Sequence, residues 1–176
     1  MIVVLLGYMG SGKSTVGSLL ASKLELEFQD LDNYIENQYN CSVANIYKSK
    51  GEIYFRKIEA VAVKELCSKS SDLVLALGGG TPCYSDTMTY LLKQNKVVTV
   101  KLKTSILNLT QRLMDEKSGR PLISNLRNDE IPGFIAKHLF ERSAFYNKAE
   151  ISVLTDMLTK HEVVERVISR LPHNNF

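Results

Sequence analysis

An apolar run, Ile2-Val3-Val4-Leu5-Leu6, leads into Gly7-Tyr8-Met9-Gly10-Ser11-Gly12-Lys13-Ser14-Thr15, and a stretch of helical period (Val16, Leu19, Leu20, Leu24) follows. The middle segment fits the phosphate-binding pattern GxxxxGK[ST] in its required setting, after a strand and before a helix. Its glycines let the loop curl so that backbone N–H groups and the helix N-terminus face a triphosphate. Gly10, Ser11, Gly12, Lys13, Ser14 and Thr15 are the residues that line such a cradle, with Lys13 supplying a cation for the β- and γ-oxygens and the Ser14 hydroxyl suited to Mg²⁺. A ligand-free glycine turn is the alternative, and the register of Lys13 and Ser14 argues against it. The segment implies a nucleoside triphosphate site.

The rest of the chain sustains the same alternation. Short apolar runs predict strands over Ile2-Leu6, Leu73-Leu77, Val97-Leu102 and Glu150-Leu154, with a further short strand ending near Phe28. Helical periods appear at Ile53, Ile58, Ala62 and Leu66, at Ile131, Phe134, Ile135 and Leu139, and at Val163, Val164, Val167, Ile168 and Leu171. This pattern predicts an α/β fold with a mostly parallel sheet, helices on both faces and ligands at the carboxyl ends of the strands. Asp115 to Asn128 is polar, contains Gly119 and Pro121, and reads as a mobile loop or lid. No linker or repeat divides the 176 residues, so one domain is expected.

Composition removes several function classes. Lys plus Arg number 22 against 19 Asp plus Glu, and a net charge of +3 falls short of what a dedicated nucleic-acid binder carries. Cys41, Cys67 and Cys83 form no CxxC pair, and His138, His161 and His173 lie late in the chain, so neither a disulfide framework nor a zinc site is suggested. The opening apolar run stops at Gly7 with no basic segment before it, and no run reaches the ~20 residues of a membrane span. A cytoplasmic protein is expected. A GTPase is disfavoured too, since there is no DxxG and the nearest approach to NKxD is Asn147-Lys148-Ala149-Glu150.

Candidate groups for chemistry recur along the chain, each with an ordinary alternative. Asp30 and Asp32, in Phe28-Gln29-Asp30-Leu31-Asp32, are two apart and would share a face of an extended strand. One carboxylate can take a proton from an acceptor hydroxyl and the other can hold metal-bound water; equally, they can be helix caps. Arg56 can meet an anionic ligand in bidentate geometry or pair with Glu59 three residues on. Gly78-Gly79-Gly80 lets backbone approach a ligand at a strand end, or simply turns the chain. Arg120, in Gly119-Arg120-Pro121, can neutralise a transferring phosphoryl group or be a solvated loop cation. Arg142 can reach a ligand or form a surface ion pair.

Taken in order, GYMGSGKST, FQDLD, GEIYFRKIE, LALGGG, SGRPLI and RSAFYNKAE closely resemble shikimate kinase. The resemblance covers nearly the whole chain. It implies a nucleoside-monophosphate-kinase-like fold: a five-stranded parallel sheet flanked by helices, a substrate-binding segment around 31–60 and a lid around 110–126. It further implies ATP- and Mg²⁺-dependent phosphorylation of the shikimate 3-hydroxyl, giving shikimate 3-phosphate and ADP on the route to chorismate and aromatic amino acids. On this reading Lys13 and Ser14 hold ATP and Mg²⁺, Asp30 supports the metal through water, and Asp32 binds ring hydroxyls and helps deprotonate the 3-hydroxyl. Arg56 and Arg142 grip the carboxylate, Gly78, Gly79 and Gly80 line the pocket, Arg120 meets the phosphates, Arg112 stacks on adenine, and Tyr47 is the aromatic of the substrate segment. Some relatives carry an arginine after the last strand. Thr155-Asp156-Met157-Leu158 has none, which implies adenine held mostly by backbone and apolar contacts. A monomer with small-molecule substrates is expected. A kinase of another small polyhydroxy acid such as gluconate, and a nucleotide-binding regulatory module without turnover, are the competing readings.

Overall fold

A computed structural model describes residues 1–117 and 122–172. In chain order the elements are β1 (Ile2–Leu6), α1 (Lys13–Leu24), β2 (Glu27–Asp30), α2 (Leu31–Tyr39), α3 (Val43–Lys50), α4 (Glu52–Lys69), β3 (Leu73–Ala76), α5 (Thr87–Leu92), β4 (Val97–Lys103), α6 (Ile106–Asp115), α7 (Ile131–Tyr146), β5 (Ile151–Leu154) and α8 (Lys160–Ile168), with a short 3₁₀ turn at Thr81–Cys83. The five strands pair in parallel, in the order β2-β3-β1-β4-β5.

β1 is apolar throughout because it is central and covered on both faces. Ile2, Val4 and Leu6 pack with Leu31, Ile35, Phe55, Ile58 and Leu91 on one side. Val3 and Leu5 pack with Val16, Leu20, Val163 and Val167 on the other. A third, smaller cluster of Tyr8, Leu109, Leu113, Ile123, Ile131 and Ile135 lies beside the phosphate loop. β1 pairs with β3 on one side and β4 on the other, so its carboxyl end opens into the crevice where the strand order reverses.

The expected five-stranded parallel architecture is present, with local differences. The second strand runs on past Phe28 to Asp30, where its ladder with β3 ends opposite Ala76. In α4 the buried stripe begins at Phe55, and Ile53 points to solvent. The span 31–60, expected to bind substrate, consists of α2, α3 and the first half of α4, and the span 110–126 begins inside α6. α2, α3, α5 and α6 are not among the helical periods read from sequence. Two of them begin at serine caps: Ser42 accepts from the Asn45 N–H and Ser105 from the Asn108 N–H.

Candidate active site

The phosphate loop begins where β1 ends. Gly10 and Gly12 hold φ of 77° and 90°, the left-handed region that only glycine adopts without strain, and Gly12 is the cap of α1. With no acidic residue in its first turn, α1 directs its N-terminal N–H groups at the cleft unopposed. The buried Lys13 ammonium bridges back across the loop, donating to the carbonyls of Gly7 (2.9 Å) and Tyr8 (3.0 Å). Ser11 Oγ is buried without a hydrogen-bond partner, a polar atom inside a loop otherwise lined by N–H donors.

Ser14 Oγ donates to Asp30 Oδ2 at 2.6 Å, and Asp30 Oδ1 accepts the backbone N–H of Asp32 at 3.0 Å. Asp30 is therefore a helix cap and a neighbour of Ser14 at once. The shared-face expectation for the two aspartates is corrected: β2 stops at Asp30 and Asp32 stands in the first turn of α2. A strand-to-helix corner, not strand alternation, brings both to the same cleft. The Ser14–Asp30 pair supplies hard oxygen donors, and Mg²⁺ favours few protein oxygens of this kind together with phosphate and water. The residues fit that ion.

Three depressions adjoin along the carboxyl ends of the strands. The first, about 270 Å³, is lined by Gly10, Gly12, Thr15, Arg112, Thr155, Leu158 and Lys160. The second lies over Lys13, Ser14, Asp30 and Asp32 and shares Gly10, Gly12 and Thr15 with the first. The third, about 420 Å³, includes Tyr47, Phe55, Arg56, Glu59, Leu122 and Arg142. It shares Met9, Asp32, Gly78 and Gly79 with the second. Asp32 thus stands at the junction between the phosphate cradle and the arginine-lined chamber. Burial raises its pKa to about 6, reinforced by the Asp30 and Glu59 carboxylates and opposed by Lys13.

Arg56 makes the pair with Glu59 that its spacing allows, and it also lines the chamber. Its Nη1 donates to Glu59 at 2.6 Å, and its guanidinium lies 4.2 Å from the Tyr84 ring centroid while lining the chamber. Glu59, 2% exposed, also accepts from Thr81 Oγ1 at 2.5 Å, so both carboxylate oxygens are engaged and the arginine is held in place. Arg142 forms no ion pair among the described residues. Its guanidinium carbon sits 5.4 Å from the Tyr8 ring centroid. Gly78, Gly79 and Gly80 all line the chamber, and two of them also make room for side chains of the site. A Cβ on Gly80 would stand 2.8 Å from Arg56 Nη1, and one on Gly78 2.9 Å from Glu59 Oε1 and 3.2 Å from Asp32 Oδ1. The room they leave is filled by the site's own side chains.

At the outer end, Arg112 Nη1 donates to the Gly10 carbonyl at 3.0 Å, tying α6 to the loop. Asp156 accepts from Ser105 N and Asn108 Nδ2, and Thr104 and Thr155 share a hydroxyl hydrogen bond of 2.6 Å, so the β4 and β5 ends are bound together beside the cleft. Lys160 and Glu116 join Arg112 there, so charged side chains of both signs border this end beside its backbone and apolar lining. Tyr47 both lines the chamber and packs on Phe55, with ring centroids 5.7 Å apart. Arg120 lies outside the described residues. Residues missed in the sequence are Thr81, Tyr84, Tyr8 and Tyr146, whose hydroxyl donates to the Gly79 carbonyl at 2.5 Å. For Tyr146 a signal existed: it follows Arg142 by four residues, on the same helix face.

Among the described residues, no helix is long and apolar enough to cross a membrane. A family model described as shikimate kinase matches residues 9–172. The shikimate kinase of Flavobacterium johnsoniae is 46% identical over 96% of this chain and 98% of its own. The crystal structure of shikimate kinase from Bacteroides thetaiotaomicron superposes with a TM-score of 0.88 at 32% identity, covering 96% of this chain and 97% of that one. Shikimate kinase from Acinetobacter baumannii, solved in complex with shikimate, gives a TM-score of 0.85 at 30% identity, covering 96% and 90%.

Proposed function

The chain belongs to the shikimate kinase family, and we propose that Asp32, Arg56 and Arg142 hold shikimate beside ATP cradled on Gly10 to Thr15, with the γ-phosphoryl group passing to the 3-hydroxyl. The observation that carries this reading is the position of Asp32, which lines both the phosphate cleft and the arginine-lined chamber. The product is an intermediate on the route to chorismate and the aromatic amino acids.

The chemistry follows from that position. Arg56 and Arg142 converge on one chamber, a pairing that suits a carboxylate, while Asp32 accepts hydrogen bonds from ring hydroxyls. The 3-oxygen attacks the γ-phosphorus, the bond from that phosphorus to the β,γ-bridging oxygen breaks, the hydroxyl proton passes to Asp32, and ADP departs with the electron pair. A carboxylate with its pKa raised to about 6 is a stronger base than an exposed one and still ionised at neutral pH. Lys13 and the N–H groups of the loop neutralise charge on the phosphoryl oxygens. Ser14, with Asp30 through water, would hold Mg²⁺, which supplies further neutralisation of the phosphates when bound. Arg120, on the family resemblance, adds a second cation to the transferring group, and Arg112 with Lys160 borders the base of the nucleotide.

The test is ADP release with ATP and Mg²⁺, alone and with shikimate, gluconate or a nucleoside monophosphate. Release is expected with shikimate only. Asp32→Asn should lower kcat at least about a hundredfold, and Arg56→Ala should raise the shikimate KM. Wild-type turnover in either variant removes the assignment. Release with gluconate in place of shikimate moves the acceptor to another polyhydroxy acid, and ATP binding without release returns the regulatory module.

A further inference from the structure

The phosphate pattern leaves position 8 unrestricted, since a GxxxxGK[ST] loop binds through glycines, N–H groups and the lysine. Yet Tyr8 is 2% exposed. Its backbone carbonyl accepts from Lys13 Nζ (3.0 Å) and from Ser11 N (3.1 Å), so the residue belongs to the donor cradle. Its side chain points the other way, into the third apolar cluster and against α7. There the ring lies 5.4 Å from the Arg142 guanidinium carbon. The phenol oxygen is 3.3 Å from His138 Nδ1, and the His138 ring meets the tyrosine edge-on, at 6.3 Å between centroids and 65° between planes. His138 in turn packs on Phe134, with centroids 4.1 Å apart and the planes tilted by 48°.

From this geometry we infer that Tyr8 is a positioning residue for the acceptor: its ring is the platform that holds Arg142, one element of the phosphate loop thereby setting the cation that meets the acceptor carboxylate. The inference rests on the role proposed for Arg142 above. A guanidinium in a ligand chamber needs something to fix it, and a carboxylate partner would compete with the ligand's own. Arg56 is fixed by such a carboxylate, Glu59. Arg142 has no carboxylate partner among the described residues; it interacts with the Tyr146 hydroxyl and lies against the Tyr8 ring, neutral groups that orient the cation and leave its charge unpaired for a ligand. His138, itself packed on Phe134, borders the edge of the tyrosine ring.

The experiment compares steady-state kinetics of Tyr8→Leu, Tyr8→Phe, Arg142→Ala and the Tyr8→Leu/Arg142→Ala double variant. Tyr8→Leu should raise the shikimate KM roughly two- to thirtyfold, the range a cation–π contact spans, with the ATP KM moving less than twofold. Tyr8→Phe keeps the ring and should restore the wild-type shikimate KM to within twofold. In the Arg142→Ala background, Tyr8→Leu should add nothing. A large Arg142→Ala effect with no Tyr8→Leu effect overturns the platform and spares the acceptor assignment. An inert Arg142→Ala overturns the assignment itself. An equal rise in the ATP KM makes Tyr8 a loop-packing residue and overturns the inference as well. If the leucine variant does not fold, phenylalanines of increasing fluorination at position 8 keep the shape and drain the ring's negative face; the shikimate KM should climb along that series, and a flat series overturns the platform.

Discussion

Asp32, the proposed base, is a side chain whose burial opposes stability. In an unfolded chain its pKa is near 3.8; in the fold, burial and then the neighbouring Asp30 and Glu59 carboxylates raise it to about 6. The folded state holds the proton more tightly, so the stabilisation this provides is fully present below about pH 4 and is lost as pH rises through about 6. At pH 8 the ionised, buried carboxylate costs at most about 3 kcal/mol. Asp32→Asn should therefore melt several degrees above the parent at pH 8, with the gap narrowing below about pH 6 and closing near pH 4, while turnover collapses. The acceptor kcat/KM of the parent should fall below about pH 6 as the base is protonated. Melting curves across that pH range decide the matter; a variant that melts lower at pH 8 would show that Asp32 is held by attraction to Lys13 more than it is strained by burial. Arg56 teaches a related point. Sequence spacing points to Glu59 as its partner, and partner and ligand do not exclude each other, because an arginine held on one side by a carboxylate still presents its outer face to a chamber.

Among the elements, strands were easier to read than helices, for a physical reason. β1 was read to its residue because five apolar side chains in a row end at a glycine. α2 escaped because only Leu31 and Ile35 are buried in it, too few for a period to emerge, and the same shortness hid α3 and α5. Asp32 was read onto the strand for that reason. Close packing between elements was equally silent. Gly17, in the middle of α1, faces β2 so closely that a Cβ there would stand 2.6 Å from Phe28 Cε2 and 3.2 Å from Leu5 Cδ1. Helix propensity alone predicts that Gly17→Ala gains about 1 kcal/mol; overpacking costs about 1–3 kcal/mol. The contact distance decides for the second, because the Phe28 ring must shift to admit the methyl. Gly17→Ala should melt a few degrees lower and lose kcat/KM, since displacing β2 moves Asp30 away from Ser14. A rise in melting temperature would mean that the ring yields freely.

At the scale of the molecule, the site is legible where it sits at strand ends and illegible where it depends on distant packing. The phosphate loop, the aspartate corner and the glycine run follow β1, β2 and β3, so fold class alone collects them at one edge. The pose of Arg142 depends on α7 meeting Tyr8 across more than a hundred residues of chain, and no local pattern encodes that. The same cluster governs one more feature. Leu122 lines the arginine-lined chamber, and its neighbour Ile123 is fully buried among Tyr8, Leu109, Leu113, Ile131 and Ile135. This cluster lies off the sheet, whereas Leu5 belongs to a cluster packed on it. Ile123→Ala and Leu5→Ala each remove buried apolar volume, a loss of about 2–5 kcal/mol where the surroundings cannot collapse. Their reach should differ, because a satellite cluster can open without unfolding the strands. Hydrogen exchange should show Leu5→Ala weakening β1, β3 and β4 together, and Ile123→Ala weakening α6 and the start of α7 while those strands keep their protection. With Leu122 no longer held over the chamber, Ile123→Ala should also raise the shikimate KM and the share of ADP released without acceptor, as water reaches the phosphoryl group more easily. Uniform loss of protection across the sheet in Ile123→Ala would show instead that the third cluster and the two main ones form a single cooperative unit.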